Sequence, residues 1–421
     1  MKTIRLWVSI LCILVLTACS FPASSGSDLS QAEPAKVVPD AAKAEDQFTA
    51  AVEAPTATSI QAASLEEAAQ TATQAPEPTA TPTEGANSNL AAVSHDANPS
   101  TEGINPLTGQ PCDDPALLSL PPALVSVSNF PVTARPQAGL SFSPYVFEMY
   151  IGEGMTRFLA MFYCSFPSEN VSGDNTIGPI RSGRLPYESL RKLYNGFLIM
   201  ASASGEVSTQ LNDSTNIFGS EADNINSALI DVSKLRGIAQ RQAGSAAPNL
   251  TGNLFDTAAP QGGTPAGKLW VFYNFLNQVM WTFDPARGAY LRAQDNADGS
   301  GKFIQSTDRL TGDPLAFENV IVLVAEHEVL NSEGTLIDVN LLYSANKAYL
   351  FRDGQMLPIR WTTVGGDYEK STGKLRPIRF VDAEGNPVAL KPGRVWVEFV
   401  HLTTTLVEVE PGMWKARFYA P

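Results

Sequence analysis

The segment "IGPIRSGR", residues 177–184, holds the side chains of this chain best suited to binding an anion. Arg181 and Arg184 stand just before a predicted helix, "PYESLRKLYNG" (186–196), and Arg157 opens a predicted strand. Guanidinium groups beside the first turn of a helix favour a carboxylate or a phosphate, because the helix dipole adds positive charge there. One interpretation of the segment is therefore an anion-binding pocket.

Two acidic residues near these arginines support a structural interpretation instead. Glu148 lies in the predicted strand "YVFEMYI", and Glu153 lies in the turn of "IGEGMTR". In this interpretation Arg157 pairs with one of the two carboxylates, while Arg181 and Arg184 hold carbonyl groups of a buried loop. We favour this structural role over the pocket, because the segment lacks the glycine pattern of a phosphate loop.

Other groups that could do chemistry are few. In "AEHEV" (325–329), strand alternation puts Glu326 and Glu328 on one face and His327 on the other, which is a poor metal site. We therefore expect a structural histidine, no metal ion and no cofactor. A carboxylate mechanism through Glu148 and Glu153 is the catalytic alternative.

Three tryptophans fall in predicted strands of the C-terminal half, at Trp281, Trp361 and Trp396. Tryptophans aligned on an exposed sheet could stack on carbohydrate. We favour core packing, because aromatic side chains bury large apolar areas and dominate core energetics.

The N-terminus "MKTIRLWVSILCILVLTACS" begins with two basic residues and an apolar run too short to span a bilayer. Small residues before Cys19 resemble a bacterial lipobox, in which the cysteine becomes the lipidated N-terminus. Acyl chains such as palmitate contribute roughly 0.8 kcal/mol per buried methylene to membrane binding. We expect a signal peptide over 1–19 and a lipid on Cys19 that holds the protein at the extracytoplasmic face of the membrane. An ordinary secretory signal is the alternative.

Two other cysteines would remain in the exported protein, Cys112 and Cys164. The compartment permits a disulfide between them, but sequence spacing does not give the geometry that a bridge needs. We favour two buried thiols, with the bridge as the alternative.

The composition divides the chain into four further parts. Residues 20–100 are rich in Thr, Pro, Ala and Glu and hold eleven acids against two lysines, which predicts a disordered stalk. Residues 101–242 mix helical and strand patterns and predict an α/β domain. An Ala, Gly and Pro-rich linker follows at 243–267, and 268–421 predicts a mostly β barrel or sandwich. The overall class is α+β.

The net charge of −14 over 421 residues excludes a broad nucleic-acid surface, which requires a basic stripe that displaces counterions. The partners that we expect are the membrane, through the lipid, and either a cell-wall or small anionic ligand or a protein.

Several blocks resemble the signature segments of the YerB-like lipoproteins, in the same order and across residues 104–400: "NPLTGQP", "ARPQAGLSFSPYVFEMYIGEGMTRFLAMF", "IGPIRSGR", "WTFDPARGAYLRAQD" and "TDRLTGDPLAFENVIVL". The resemblance implies two domains of unknown function behind a lipid anchor, with no established catalytic residues. This chain departs from the pattern twice. Glu153 stands between its two glycines rather than before them, and "MASASGE" replaces a segment that carries a histidine and glycines.

Together these observations predict an exported, lipid-anchored envelope protein that acts as a non-catalytic binding or scaffolding module. The alternative is a hydrolase-like enzyme that acts on envelope polymers through the Glu148, Glu153, Arg157, Arg181 and Arg184 cluster.

Overall fold

Short strands rich in β-branched and aromatic residues make up most of the structure, as their propensities predict. The computed structural model describes residues 103–167, 175–244 and 247–421. The predicted signal peptide, the lipidated Cys19 and the predicted stalk at 20–100 lie outside these residues.

The strands in chain order are β1 (Ile104–Asn105), β2 (Gln110–Pro111), β3 (Ala123–Ser128), β4 (Tyr145–Tyr150), β5 (Thr156–Phe162), β6 (Thr176–Ile177), β7 (Phe197–Met200), β8 (Ser214–Asn216), β9 (Ile230–Asp231), β10 (Leu254–Phe255), β11 (Thr264–Pro265), β12 (Lys268–Asn274), β13 (Asn277–Asp284), β14 (Ala289–Asp295), β15 (Phe303–Gln305), β16 (Ala316–Phe317), β17 (Asn319–Ala325), β18 (His327–Val329), β19 (Ile337–Val339), β20 (Ala345–Arg352), β21 (Gln355–Thr362), β22 (Arg379–Val381), β23 (Ala389–Leu390), β24 (Val395–His401), β25 (Thr405–Glu410) and β26 (Met413–Arg417).

The helices are few and short. They are α1 (Pro186–Leu193), α2 (Gly205–Ser208), α3 (Val232–Gln242) and α4 (Asp367–Thr372), with 3-10 turns at Pro115–Ser119, Val132–Ala134 and Leu140–Phe142. Within the described ranges, none of these helices has both the length and the apolar character that crossing a membrane requires. The fold is mostly β.

An eleven-stranded main sheet runs through both halves of the chain. Its order is β11-β21-β20-β17-β24-β4-β5-β3-β7-β8, with β22 added beside β21. Strand β24 lies parallel to both β17 and β4 and so joins the two halves. The regions predicted as separate domains, 101–242 and 268–421, therefore share one sheet, because β24 fills an edge that β4 would otherwise leave unpaired.

A seven-stranded second sheet, in the order β15-β14-β13-β12-β26-β25 with β16 beside β14, packs on one face of the main sheet. Apolar side chains from both sheets fill the space between them, including Val127, Val322 and Val271. This sandwich-like packing agrees with the mostly β prediction for 268–421. The difference is that the main sheet also takes strands from 101–242.

The opposite face of the main sheet is covered by α1 and by irregular segments, through side chains such as Leu190 and Leu341. Both faces of the sheet are therefore buried, which explains why its central strands read as continuous apolar runs. Trp281, Trp361 and Trp396 are fully buried, so the prediction that they pack in the core is confirmed.

The segment predicted as a linker contributes strands of its own. Strand β10 pairs with β23, and β11 pairs with β21. The buried Arg352 also donates from Nη2 to the carbonyl oxygens of Asp256 and Ala258, at 3.1 and 3.0 Å. Residues 247–267 of the predicted linker are therefore attached to the main sheet rather than free between two bodies.

Cys112 and Cys164 form a disulfide, so the interpretation as two free thiols was wrong. Their Cα atoms lie 5.8 Å apart, within the range that a bridge requires. The Tyr163 hydroxyl donates to the Leu118 carbonyl oxygen at 2.8 Å and holds the same two segments together. This proximity arises from chain folding over 52 residues, which sequence spacing does not reveal.

Candidate functional site

The "IGPIRSGR" segment fills a gap between two parallel strands. Strands β3 and β7 pair over three residues and then separate toward their carboxyl ends. There the Arg181 amide donates to the Ser126 carbonyl oxygen, and the Ala201 amide donates to the Arg181 carbonyl oxygen, both at 2.9 Å. The Gly183 amide donates to the Ser202 carbonyl oxygen, also at 2.9 Å. The segment is thus held on both sides, at a sheet position where open α/β folds commonly bind ligands.

Gly183 permits this close approach. A Cβ atom at this position would lie 2.5 Å from both Met200 Sδ and Leu211 Cδ1. A larger residue therefore requires the Met200 and Leu211 side chains, or the segment itself, to move.

Two of the three candidate arginines bind carbonyl groups of the inserted segment. Arg157 Nη1 donates to the Ser182 oxygen at 3.0 Å, and Arg184 Nη1 donates to the Gly183 oxygen at the same distance. The Nε groups of both arginines are buried without an acceptor. These carbonyl contacts agree with the structural interpretation for Arg184.

Arg181 binds side chains rather than carbonyl groups. Its Nε donates to Ser128 Oγ at 3.1 Å, and its Nη2 donates to Asn226 Oδ1 at 3.2 Å. Ser128 is also the strand partner of Arg157 in the β3–β5 pair, so Arg157 and Arg181 meet at this point of the sheet. We call Arg157, Arg181 and Arg184 the arginine site.

No carboxylate of the described residues forms an ion pair with the arginine site. Burial, followed by repulsion from Arg184, lowers the pKa of Arg157 to about 10; Arg181 adds to the effect and Tyr187 opposes it. Burial also lowers the pKa of Arg181. Arginine side chains are cationic at neutral pH, and no ion pair within the described residues neutralises these three.

Each of these arginines has one terminal nitrogen without a hydrogen-bond partner among the described residues. The atoms are Nη2 of Arg157, Nη1 of Arg181 and Nη2 of Arg184, and none of them makes a hydrogen bond within the described structure. None of the three is a fully buried atom, so each keeps contact with solvent.

The structure does not bring the two predicted glutamates to this site. Glu148 is fully buried on the other face of the main sheet, where its Oε2 accepts from Arg292 Nη2 at 2.9 Å. Glu153 is exposed in the turn before β5, with φ of 52° and no ion pair among the described residues. The predicted pairing of Arg157 with Glu148 or Glu153 is therefore wrong.

Glu148 belongs instead to a buried charge network between the two sheets. Its strand partner is Glu398, whose carboxylate accepts from the Tyr273 hydroxyl at 2.8 Å and from Trp281 Nε1 at 2.9 Å. Desolvation and the neighbouring charge of Glu148 raise the pKa of Glu398 to about 8. Arg292 is the cation of this network.

The network has a structural rather than a ligand-binding geometry. Glu148, Glu398 and Arg292 are no more than 2% exposed, so the described structure offers a ligand no access to them. The Arg292 guanidinium also lies 4.9 Å from the ring centre of Trp396, where a cation–π contact stabilises it. The prediction missed Glu398 and Arg292, although a charge within the apolar run "VWVEFV" was a usable signal for Glu398.

His327 is buried as alternation predicts, and Glu326 and Glu328 point to solvent. Its Nδ1 lies 3.1 Å from the Ala325 carbonyl oxygen, and burial lowers its pKa to about 4. In the parts of the chain that the structure describes, no three His, Cys, Asp or Glu side chains lie close enough to hold a metal ion.

Comparison with known families places these features in context. Residues 107–259 match the family described as "Protein of unknown function (DUF3048) N-terminal domain", and residues 270–397 match the corresponding C-terminal domain. The gap between the two matches, 260–269, overlaps the end of the predicted linker at 243–267.

One relative and one solved structure resemble this chain over most of their length. The protein named "Putative lipoprotein YerB" from Bacillus subtilis strain 168 is 26% identical over 311 residues, which cover 70% of this chain and 85% of that protein. The crystal structure of the Bacillus subtilis YerB protein aligns with a TM-score of 0.57 and 25% identity, over 70% of this chain and 96% of that chain. The two domain matches, their order and this similarity show that the chain belongs to the YerB-like family of DUF3048 proteins.

Proposed function

We propose that this protein is exported and lipid-anchored through Cys19, and that it binds an anionic ligand of the cell envelope at the arginine site. The lipobox-like "LTAC" and a relative that carries the name lipoprotein support the anchor. The acyl chains would hold the protein on the extracytoplasmic face of the membrane.

The observation that carries the binding proposal is the set of three guanidinium groups without a carboxylate partner. Placing such cations together in a partly buried site costs free energy unless an anion neutralises them. Arginine also suits carboxylate and phosphate groups, because its planar fork donates two parallel hydrogen bonds.

A binding role is better supported than the hydrolase alternative. That mechanism required Glu148 or Glu153 beside the arginines, and neither lies there. The nearby Ser126 and Tyr187 hydroxyls bond to each other at 3.2 Å, and within the described residues neither hydrogen-bonds to a histidine or carboxylate that could serve as a base. A scaffolding role with a protein partner is the second candidate, favoured by the carbonyl contacts of Arg157 and Arg184.

A thermal-shift screen of the full chain tests the proposal with phosphate, sulfate, dicarboxylates, anionic sugars and muropeptides. Ligand at a hundred times its Kd stabilises a folded protein by about 2.7 kcal/mol. We expect at least one anion to raise the Tm of the wild type but not of the Arg181→Ala and Arg184→Ala variants.

Two further variants serve as controls. Arg287→Ala removes an exposed arginine whose partner is Asp284, in a turn of the second sheet, and should respond as the wild type does. Gly183→Ala crowds the Met200 and Leu211 side chains beside the segment without removing a charge, and it should weaken the response. If no anion stabilises the wild type while both site variants have a strongly lowered Tm, the segment has a structural role only and the ligand proposal fails.

A further inference from the structure

We infer that the arginine site takes a doubly charged phosphate group, as inorganic phosphate or a phosphate monoester; this inference rests on the proposed function and names the ligand class. A carboxylate or a phosphate diester brings one negative charge against three guanidinium groups. A phosphate dianion brings two, which leaves the partly buried site closer to neutral.

At the arginine site, three neighbouring guanidinium groups lack a carboxylate partner among the described residues. Several other arginines with little exposure pair with acids at short distances: Arg191 with Glu188, Arg376 with Glu369 and Arg352 with Asp353, each at 2.8 Å. Arg135 and Arg360 are single, partly buried arginines without such a pair in the described structure, whereas the arginine site brings three together. The sequence is rich in acids, with 43 against 29 basic residues, yet none is paired with the arginine site in the described structure. An external anion would supply the negative charge that the described residues do not.

The number of unbonded donors also favours a group with three acceptor oxygens. Arg157 comes from β5, while Arg181 and Arg184 come from the two sides of Ser182, whose carbonyl oxygen binds Arg157. Three separate backbone positions therefore present one free terminal nitrogen each. A planar carboxylate offers two oxygens to a single guanidinium fork, whereas a terminal phosphate offers three oxygens to three donors.

The charge of the site stays constant over the pH range in which a phosphate monoester titrates. Arg157 has the lowered pKa of about 10, and the other charges that act on it belong to Arg184, Tyr187 and Arg181. Burial raises the pKa of Tyr187, which is therefore neutral below pH 8. A change in affinity between pH 5 and pH 8 would consequently report the ionisation of the ligand.

Isothermal titration calorimetry of the full chain with glycerol phosphate at pH 5 and pH 8 tests the inference. A monoester with a second pKa near 6 is about one-tenth dianion at pH 5 and almost wholly dianion at pH 8, so we expect roughly tenfold tighter binding at pH 8. Sulfate keeps its charge across this range and should bind equally at both values. Dimethyl phosphate, a monoanion, should bind weakly at both pH values. Titration with inorganic phosphate as well as glycerol phosphate distinguishes a site for the free ion from a site for a monoester.

The outcomes separate this inference from the proposed function. Equal binding of acetate, sulfate and glycerol phosphate, without pH dependence and with loss in Arg184→Ala, would keep an anion site and overturn the phosphate dianion. No binding by any of these anions would overturn both. Arg184→Gln keeps a polar side chain at this position and replaces Arg184→Ala in these measurements if the alanine variant does not fold.

Discussion

The buried acid Glu398 makes a stability prediction with a definite sign. Desolvation and Glu148 raise its pKa to about 8 in the folded protein, against an ordinary value of 4.5. Between these values the folded state therefore holds a proton that the unfolded state releases. Stability contributed by this group is fully present below about pH 4.5 and is lost as the pH rises through 8.

The magnitude follows from one proton. A difference of one bound proton changes the free energy of unfolding by about 1.4 kcal/mol per pH unit. Allowing for partial titration near pH 8, the wild type should lose about 2 kcal/mol between pH 6 and pH 8 relative to a variant without this group.

Glu398→Gln is the matched variant, because the amide imitates the protonated acid. Its oxygen can accept from Trp281 Nε1, and its NH₂ group can donate to the Tyr273 hydroxyl. Urea unfolding of both proteins at pH 6, 7 and 8 gives the difference in stability at each pH, and contributions common to both proteins, such as His327, cancel. Glu153→Gln, at an exposed turn, controls for loss of a surface charge.

The expected result is that the stability of Glu398→Gln relative to the wild type rises steadily with pH, while Glu153→Gln follows the wild type. A constant difference between Glu398→Gln and the wild type from pH 6 to pH 8 would refute the reasoning. It would mean that Glu398 is ionised throughout this range and that Arg292 neutralises both glutamates.

Two further predictions concern the covalent features of the chain. The Cys112→Ser/Cys164→Ser double variant opens a loop closed by cysteines 52 residues apart. It should lower the free energy of unfolding, measured with urea, by about 4 kcal/mol. An unchanged value would contradict a bridge in the folded protein. Cys19→Ala should abolish incorporation of labelled palmitate and release the protein from the membrane fraction, and equal labelling of variant and wild type would rule out lipidation at this residue.

The sequence alone determined the local features of this protein. Runs of β-branched and aromatic residues gave the strands, and the helix predicted at 186–196 is present as α1, Pro186–Leu193. The segment with Arg181 and Arg184 was also recognisable, because its glycines and arginines differ from the apolar strands around it. These features depend on neighbours within a few residues, and such patterns are visible in one dimension.

Only the tertiary structure decided which charges meet. In the hairpin of β4 and β5, Glu148 lies opposite Phe158 and Met149 lies opposite Arg157, so Glu148 and Arg157 point to opposite faces of the sheet. A shift of one residue in this register would have put the two charges on one face.

The remaining partners are too far apart in sequence for a local pattern to reveal. Arg292 lies 144 residues from Glu148. Glu398 reaches Glu148 only because β24 pairs with β4 in one sheet. The same long-range pairing buries two carboxylates together and leaves three arginines without a carboxylate partner in the part of the chain that the structure describes. Charge neutralisation is thus set by strand register and sheet order, whereas the strands themselves are set by local sequence.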